Sequence, residues 1–461
     1  MANIQLLSNA ASPLKSLLTA TNVWSPFEYS VKSSAPNLSR SRVEVKGSAL
    51  SNLDKNRTEV FRVPRFGLWS GLTIKIGIRV NCIVPATADA TSVKDFSNWL
   101  GLFLMQNVTL ATHNKVICTI PAEALLFEST YARDSNTRHT LGYLEGENAA
   151  GSLCNAVHGQ VPADLTKLTY FHIPVPFSCF ESTSCYWDTS FVESLQISVQ
   201  LAEKTSSVMS NSLEVSDWVY ESVDCHFDYL AVDDATRKSI QTSNCNIDRG
   251  ILTMLASNYF QEQSFTTAAV TYANAANVDA LDLTVQIRCN GLCSHTFWRL
   301  VDVSTNAEYN KGSSLGESVV EYGATGAVET KTAGWTRAVL SASGTTLVDI
   351  KVEDTLIGFG GGMSRGLSST SSATAGQYNT TSSKTDGFNV ITWGLDSRAT
   401  SYDSGSCSFK ECVAPTLTVS MASHKTAARN GVKYRLEVFH KVLVLNSISS
   451  SDGRVSQSIS I

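Results

Sequence analysis

Sulfur and imidazole groups are the first residues in this sequence whose spacing suggests chemistry. The stretch CNGLCSH places Cys289 and Cys293 with three residues between them and His295 close behind, and CSFKEC places Cys407 and Cys412 with four between them. Thiolate and imidazole donors are what a tetrahedral zinc site takes. Neither stretch is a CxxC knuckle, however, and Cys289 completes an alternating apolar run, so core cysteine is the better reading and no metal is expected. Cys179 and Cys185 flank a turn and have the spacing of a small disulfide, but a protein made in the cytosol favours the free pair. The chain has 11 cysteines, an odd number, so pairing cannot be complete within it.

Other chemical motifs are weaker. GFGGGMSRG lacks the Gly-Lys-Ser/Thr ending of a phosphate-binding loop and does not run into a helical pattern. The 8 histidines are dispersed, and neither GxSxG nor HExxH occurs. No carboxylate pair stands out from ordinary surface charge, so neither catalytic residues nor a cofactor are expected. A β-sandwich enzyme acting on glycans is the enzymatic alternative, and it would need acidic residues flanking a sugar-sized cleft. Asn37, Asn56, Asn107 and Asn379 each begin an N-glycosylation triplet. Only Asn379 is a persuasive acceptor, because it sits in a long Gly/Ser/Thr stretch expected to face outward.

Composition narrows the scaffold that must carry these groups. A formal charge of −5 argues against a surface built to grip phosphates, so nucleic acid is not expected as a direct partner. Charged residues make up 17% of the chain, and Ser, Thr, Gly and β-branched residues are plentiful, as in strands and turns. No apolar run approaches the roughly 20 residues of a membrane-spanning helix. The opening MANIQLLSNAASPLKSLL has no basic region followed by a long apolar core, so no secretory signal is expected.

Strict apolar/polar alternation, the mark of a strand with one buried face, recurs through both halves. It is clearest in Leu72–Val80, Leu195–Leu201, Leu281–Ile287 and Leu417–Met421. Such strands between Gly/Ser/Asn-rich turns predict two antiparallel sandwiches instead of βαβ units. Helices should be few. Candidates are Val93–Gln106 after Thr91 and Ser92, Ala122–Tyr131 with Thr119 and Pro121 as a start signal, and Asp233–Gln241 at a domain boundary. Gly358–Thr385 reads as a long surface loop that tolerates insertion near Ser371.

Three stretches of the first half, in order, resemble the major capsid proteins of nucleocytoplasmic large DNA viruses and their smaller double-stranded DNA relatives. They are NVTLATHNKVICTIPAEALLFEST, YFHIPVPFSCFES with SLQISVQL, and DCHFDYLAVDDATRKSI. In the second half LDLTVQIRC with HTFWRLVDV, which includes Trp298, resembles the strand pair opening that family's second barrel. FNVITWGLDS, SGSCSFKECVAPTLTVSM and YRLEVFHKVLVLNSI resemble its closing segment. Around the Ser-Gly loop this chain reads Asp403 to Phe409 where the family has an aromatic and a Pro before and Asn-Phe-Ser after.

The resemblance implies an all-β chain of two tandem eight-stranded jelly-roll barrels with short inserted helices. The expected layout is an arm at 1–44, a first barrel at 45–232, a linker with a short helix at 233–259, a second barrel at 260–448 and a tail at 449–461. The implied role is a structural, non-enzymatic major capsid protein of an icosahedral double-stranded DNA virus, in the virion and made in the host cytoplasm. Implied partners are two further copies in a homotrimer, neighbouring capsomers, minor capsid and penton proteins, and an internal membrane where one exists. The arm, with Pro13, Pro26 and Pro36, is expected to be ordered by neighbours on the inner side of the shell. A minor virion protein, a receptor-binding sandwich and a scaffolding protein of the same fold are the alternatives from other classes.

Overall fold

In the computed structural model the described residues are 39–48, 57–80, 100–112, 115–129, 144–145, 167–177, 187–189, 194–202, 218–231, 245–246, 251–262, 265–266, 282–302, 320–322, 328–330, 337–351, 389–393, 405–420, 434–449 and 455–458. The first half contributes β1 (Ser39–Lys46), β2 (Thr58–Arg62), β3 (Leu68–Val80), β4 (Met105–Ala111), β5 (Val116–Pro121), β6 (Lys167–Pro174), β7 (Trp187–Asp188), β8 (Gln196–Leu201) and β9 (Trp218–Ala231). Helices α1 (Leu100–Phe103) and α2 (Ala122–Phe127) flank the β4–β5 pair. One sheet runs β1-β9-β3-β6, with β7 added to β3, and a second runs β2-β8-β4-β5.

Alternation explains the pairing. Leu72, Ile74, Ile76 and Ile78 of β3 turn inward with Val223, Cys225 and Phe227 of β9, while Ile197 and Val199 of β8 face them from the other sheet. The two apolar faces must cover each other, and a sandwich is the result. Tyr220 ties the layers at depth, its hydroxyl donating to the carbonyls of Leu104 at 3.0 Å and Ala202 at 2.9 Å.

The second half repeats the plan. It contains β10 (Cys245–Asn246), β11 (Ile251–Gln261), β12 (Phe265–Thr266), β13 (Asp282–Gln286), β14 (Leu292–Asp302), β15 (Val320–Tyr322), β16 (Val328–Thr330), β17 (Arg337–Ala342), β18 (Thr345–Lys351), β19 (Asn389–Thr392), β20 (Cys407–Ser408), β21 (Thr416–Ser420), β22 (Tyr434–Ser449) and β23 (Val455–Ser458). Its main sheets run β11-β22-β14-β19 and β13-β21-β17-β18. In both halves the eight main strands (β1–β6, β8 and β9; β11, β13, β14, β17–β19, β21 and β22) visit the two sheets in the same order, with β4–β5 and β17–β18 consecutive in one sheet. Eight strands in this double Greek-key order make a jelly roll, so the molecule is two jelly rolls in tandem. The β17–β18 turn is Ser343-Gly344, with φ of 54° and 76°, the left-handed pair a tight hairpin requires.

The helices differ from the expectation. Only Leu100–Phe103 of the expected Val93–Gln106 helix is α-helical, residues 93–99 lie outside the described residues, and Gln106 already belongs to β4. Leu102, Phe103, Leu104 and Met105 are all buried, so this run has no solvent face to sustain a surface helix, and from Met105 on it pairs with β8 instead. Thr119 lies in β5 and bonds Thr109 across the pair at 3.2 Å; Pro121 alone, extended at φ −72° and ψ 159°, precedes α2. The Asp233–Gln241 helix, the Gly358–Thr385 loop, residues 1–38 of the arm, Cys179 and Cys185 lie outside the described residues. Strands also run past the expected domain edges. β1 starts at Ser39, β11 at Ile251, and β23 pairs with the end of β22.

Candidate functional site

The most heavily built feature of the chain is the joint between its two barrels. It is made by α2 with its flanking residues on one side and by the outer face of the β11-β22-β14-β19 sheet on the other. AEALLF is rich in good helix formers, and every α2 residue except Glu123 is buried. A short helix that is apolar nearly all round must lie between two packing surfaces. At its end Phe127 stacks on Phe297 of β14, with ring centroids 4.0 Å apart and planes 4° apart. Phe297 in turn stacks on its cross-strand partner Phe439 of β22 at 5.2 Å, and Tyr259 of β11 meets it edge-on at 6.4 Å. Phe297, Phe439 and Val390 belong to the same continuous apolar cluster as the first barrel's interior. The two barrels therefore share a core.

Polar groups at the rim of this stack are paired across the joint. Glu128, the residue after α2, accepts from Lys441 Nζ at 2.9 Å and from the Tyr259 hydroxyl at 2.5 Å. Burial pushes the Glu128 carboxyl up, but the Lys441 charge, the two hydrogen bonds and His295 outweigh it and hold the group below the usual carboxylate range. Arg299, wholly buried, donates from Nε to Glu437 at 2.9 Å. Its other end lies 3.7 Å from Glu123 of α2, and its guanidinium stands 5.7 Å from the Phe103 ring of α1. Breaking a buried pair by removing one partner costs ~3–5 kcal/mol, so these contacts fix one relative placement of the barrels.

The corresponding outer face of the first barrel, on β1-β9-β3-β6, has another character. Arg42 forks onto Asp228 at 2.7 and 3.2 Å, and Arg79 onto Glu221 at 3.0 and 2.8 Å. Lys75 stands 4.5 Å from the Tyr170 ring centre, and the His172 and His226 rings are 6.3 Å apart. Partial burial, then the charges of Lys75, His226 and Arg42, push the His172 imidazole below its usual range.

The second barrel also holds a buried cysteine, histidine and carboxylate in line, which sequence reading did not find because the three residues come from distant segments. Cys293 Sγ lies 3.7 Å from His440 Nδ1, and His440 Nε2 lies 3.3 Å from Glu262. The residue types are those of a nucleophile, a base and an orienting acid. Burial, however, pushes the Cys293 thiol well above its ordinary range, and neither Cys293 nor His440 reaches the surface. Glu262 is engaged elsewhere, accepting from the backbone N–H of Arg288 at 2.7 Å and of Cys289 at 3.0 Å. The line is a packed polar seam of the barrel interior.

The sulfur stretches converge on the same barrel. Cys289 and Cys293 are buried in its core, and Cys407 faces Cys293 across the β14–β20 pair. These three, with Cys225 and Cys412, are free thiols. Burial pushes Cys289 and Cys407 up to about 11. Among the described residues no group of three or more His, Cys, Asp and Glu is placed to hold a metal. Asn107 is half-buried in β4, its amide donating to Gln200 at 2.7 Å; Asn37, Asn56 and Asn379 lie outside the described residues. No helix among the described residues is long and apolar enough to cross a membrane.

No protein-family model and no curated protein matches the sequence. Solved structures do match the fold. PBCV-1 VP54, as fitted into a cryo-EM reconstruction of the virophage Sputnik, superimposes with a TM-score of 0.62 over 92% of this chain and 98% of its own, at 11% identity. The Faustovirus major capsid protein gives 0.55 over 96% and 98% at 12% identity, and the mavirus major capsid protein 0.52 over 91% and 90% at 9% identity. Over 91–96% of its length this chain has the fold found in these viral capsid proteins.

Proposed function

We propose that this chain is a major capsid protein whose two jelly rolls form one rigid tile of an icosahedral shell. The observation that carries the reading is the joint. Two barrels of the same topology are fused through a shared aromatic core and buried ion pairs, whereas two domains serving separate ligands would need only a linker. A unit of two like barrels repeated threefold offers six similar lobes, and a near-hexagonal tile packs into large closed shells. The fold likeness over almost the whole length of both chains supports the same reading.

In this reading the protein is structural and non-enzymatic, resides in the virion after synthesis in the host cytoplasm, and uses no cofactor. Its partners are two further copies, neighbouring capsomers, minor capsid and penton proteins and, where the virus has one, an internal membrane, without direct nucleic-acid contact. Residues 1–38 serve as an arm toward those neighbours, β1 to β9 as the first barrel and β11 to β22 as the second, with the segment between β9 and β11 as the linker. Asn379 is the one proposed glycan acceptor. Quantitative mass spectrometry of purified particles tests the assignment. The chain should be the most abundant protein by mass; a trace presence beside another shell protein would assign it to the minor or receptor-binding class.

A further inference from the structure

Cys293 and Cys407 are direct Cα partners in the two-rung ladder between β14 and β20, and both thiols pack against the second barrel's core. Residues opposite each other on one face of an antiparallel pair have Cβ atoms about 4.5–5.5 Å apart. Their Cα separation falls inside the roughly 4.4–6.8 Å that a disulfide spans. We propose that this pair is an oxidation site, at which a low-molecular-weight disulfide such as oxidised glutathione converts the two thiols into a Cys293–Cys407 bond that fastens β20 to β14. The bond lies within one chain and goes beyond the shell reading. That reading supplies only the occasion, the passage of a particle from reducing cytosol to oxidising surroundings.

The two thiols have different surroundings and so different roles. Cys407 is half-buried and is the thiol that an oxidant can reach, whereas Cys293 is fully enclosed. Beside Cys293 stands a proton acceptor. The indole N–H of Trp393 donates to Thr296 Oγ1 at 3.0 Å, which leaves the Thr296 hydroxyl hydrogen to be given to His440 Nδ1 at 3.0 Å. Nδ1 is then the unprotonated nitrogen, and Nε2 carries its hydrogen toward Glu262 at 3.3 Å. The Cys293 thiol donates to the His295 carbonyl at 3.1 Å and has Nδ1 at 3.7 Å as its alternative.

Exchange runs in two balanced steps. Cys407, as thiolate, attacks one sulfur of the glutathione disulfide, whose S–S bond breaks; one glutathione leaves and takes up, through water, the proton that Cys407 gave. Cys293, its proton passing to His440 Nδ1, then attacks the Cys407 sulfur and expels the second glutathione, which regains that proton from the imidazole. The protein loses two hydrogens and the oxidant gains them. Burial holds the Cys407 thiol up at about 11, so the first step is slow near neutral pH.

The bond would act where the ladder is thinnest. Among the described residues β20 pairs only with β14, at Leu292–Ser408 and Cys293–Cys407. The short helical turn that follows, Phe409–Glu411, rests its Phe409 ring edge-on against Trp393 and His440. Cys293 and Cys407 are 114 positions apart, and a cross-link over a long loop restricts the unfolded chain more than one over a short loop. Cys289 and Cys412 are the rival partners. Neither is opposite Cys407 in the ladder, and Cys412 Sγ turns back on the Ser408 carbonyl at 3.7 Å.

The test incubates the folded full chain with excess oxidised glutathione at mildly alkaline pH, alkylates the remaining thiols and digests with trypsin without reductant. Trypsin cuts after Arg288, Arg299, Arg398 and Lys410, so Cys293 and Cys407 fall in peptides 289–299 and 399–410, apart from Cys412. These two peptides should appear joined, with fragment ions placing the link at Cys293 and not at Cys289. The oxidised chain should melt at least about 5 °C above the reduced one, and the gain should vanish in Cys407→Ser, which alters a half-buried group. A link to Cys289 or Cys412, a glutathione adduct that stays on Cys407, unreacted thiols, or joined peptides without the melting gain would overturn the proposal. Each of these outcomes leaves the shell reading untouched, since the protein composition of purified particles decides that.

Discussion

The outer faces of β1-β9-β3-β6 and β11-β22-β14-β19 occupy the same place in two barrels of one topology, yet one is a lattice of exposed ion pairs and the other a buried aromatic stack. Arg42–Asp228 stands on the first at 60% and 34% exposure, whereas Arg299–Glu437 stands on the second at 0% and 4%. The strand plan is therefore set by the inward residues, which are alike in the two barrels. The outward residues are set by what covers them. A sheet face that a neighbour always covers can hold Phe297 and Phe439, and one that must also meet water carries charges.

The largest expected effect breaks the covered side. Phe127→Ala removes the ring that joins the two cores and should cost ~3–5 kcal/mol in denaturant unfolding. A loss no larger than that of a surface substitution would mean that the stack does not hold the barrels together. Next, Lys441→Met strands the Glu128 carboxylate in the joint and should cost about 3 kcal/mol. Adding Glu128→Gln to it should restore part of the stability.

Acid should act on the same pair. Because the Glu128 pKa is lowered on folding, its stabilisation is complete above the ordinary carboxylate range and is lost as pH falls through the folded value. A pH series of melts should show this loss in wild type and a flatter response in Glu128→Gln. The smallest effect belongs to the exposed face. Arg42→Ala should change the stability of the dissociated chain by less than about 1 kcal/mol, since solvent screens that pair. A cost near that of Lys441→Met would erase the difference between the two faces.

Much of the fold was legible because one-sided strands write their burial into every second residue, as Leu72 to Ile78 and Leu283 to Ile287 do. The joint was not legible, for the same physical reason. Where both faces of a strand are covered, alternation disappears, and the adjacent bulky pairs Phe297-Trp298 and Val438-Phe439 are the trace it leaves. AEALLF showed a helix but not its place between two cores, and Glu128 and Lys441 are 313 positions apart. The Cys293, His440 and Glu262 line was hidden likewise, since no local spacing connects β14, β22 and the residue after β11.

Electron microscopy of the purified wild-type chain tests the central claim, that two fused jelly rolls make one tile of a shell. Class averages should show a threefold particle with six similar lobes in a near-hexagonal outline, of about three times the 49.8 kDa chain mass. Isolated two-lobed monomers, or dimers with a single two-fold axis, at micromolar concentration would contradict it.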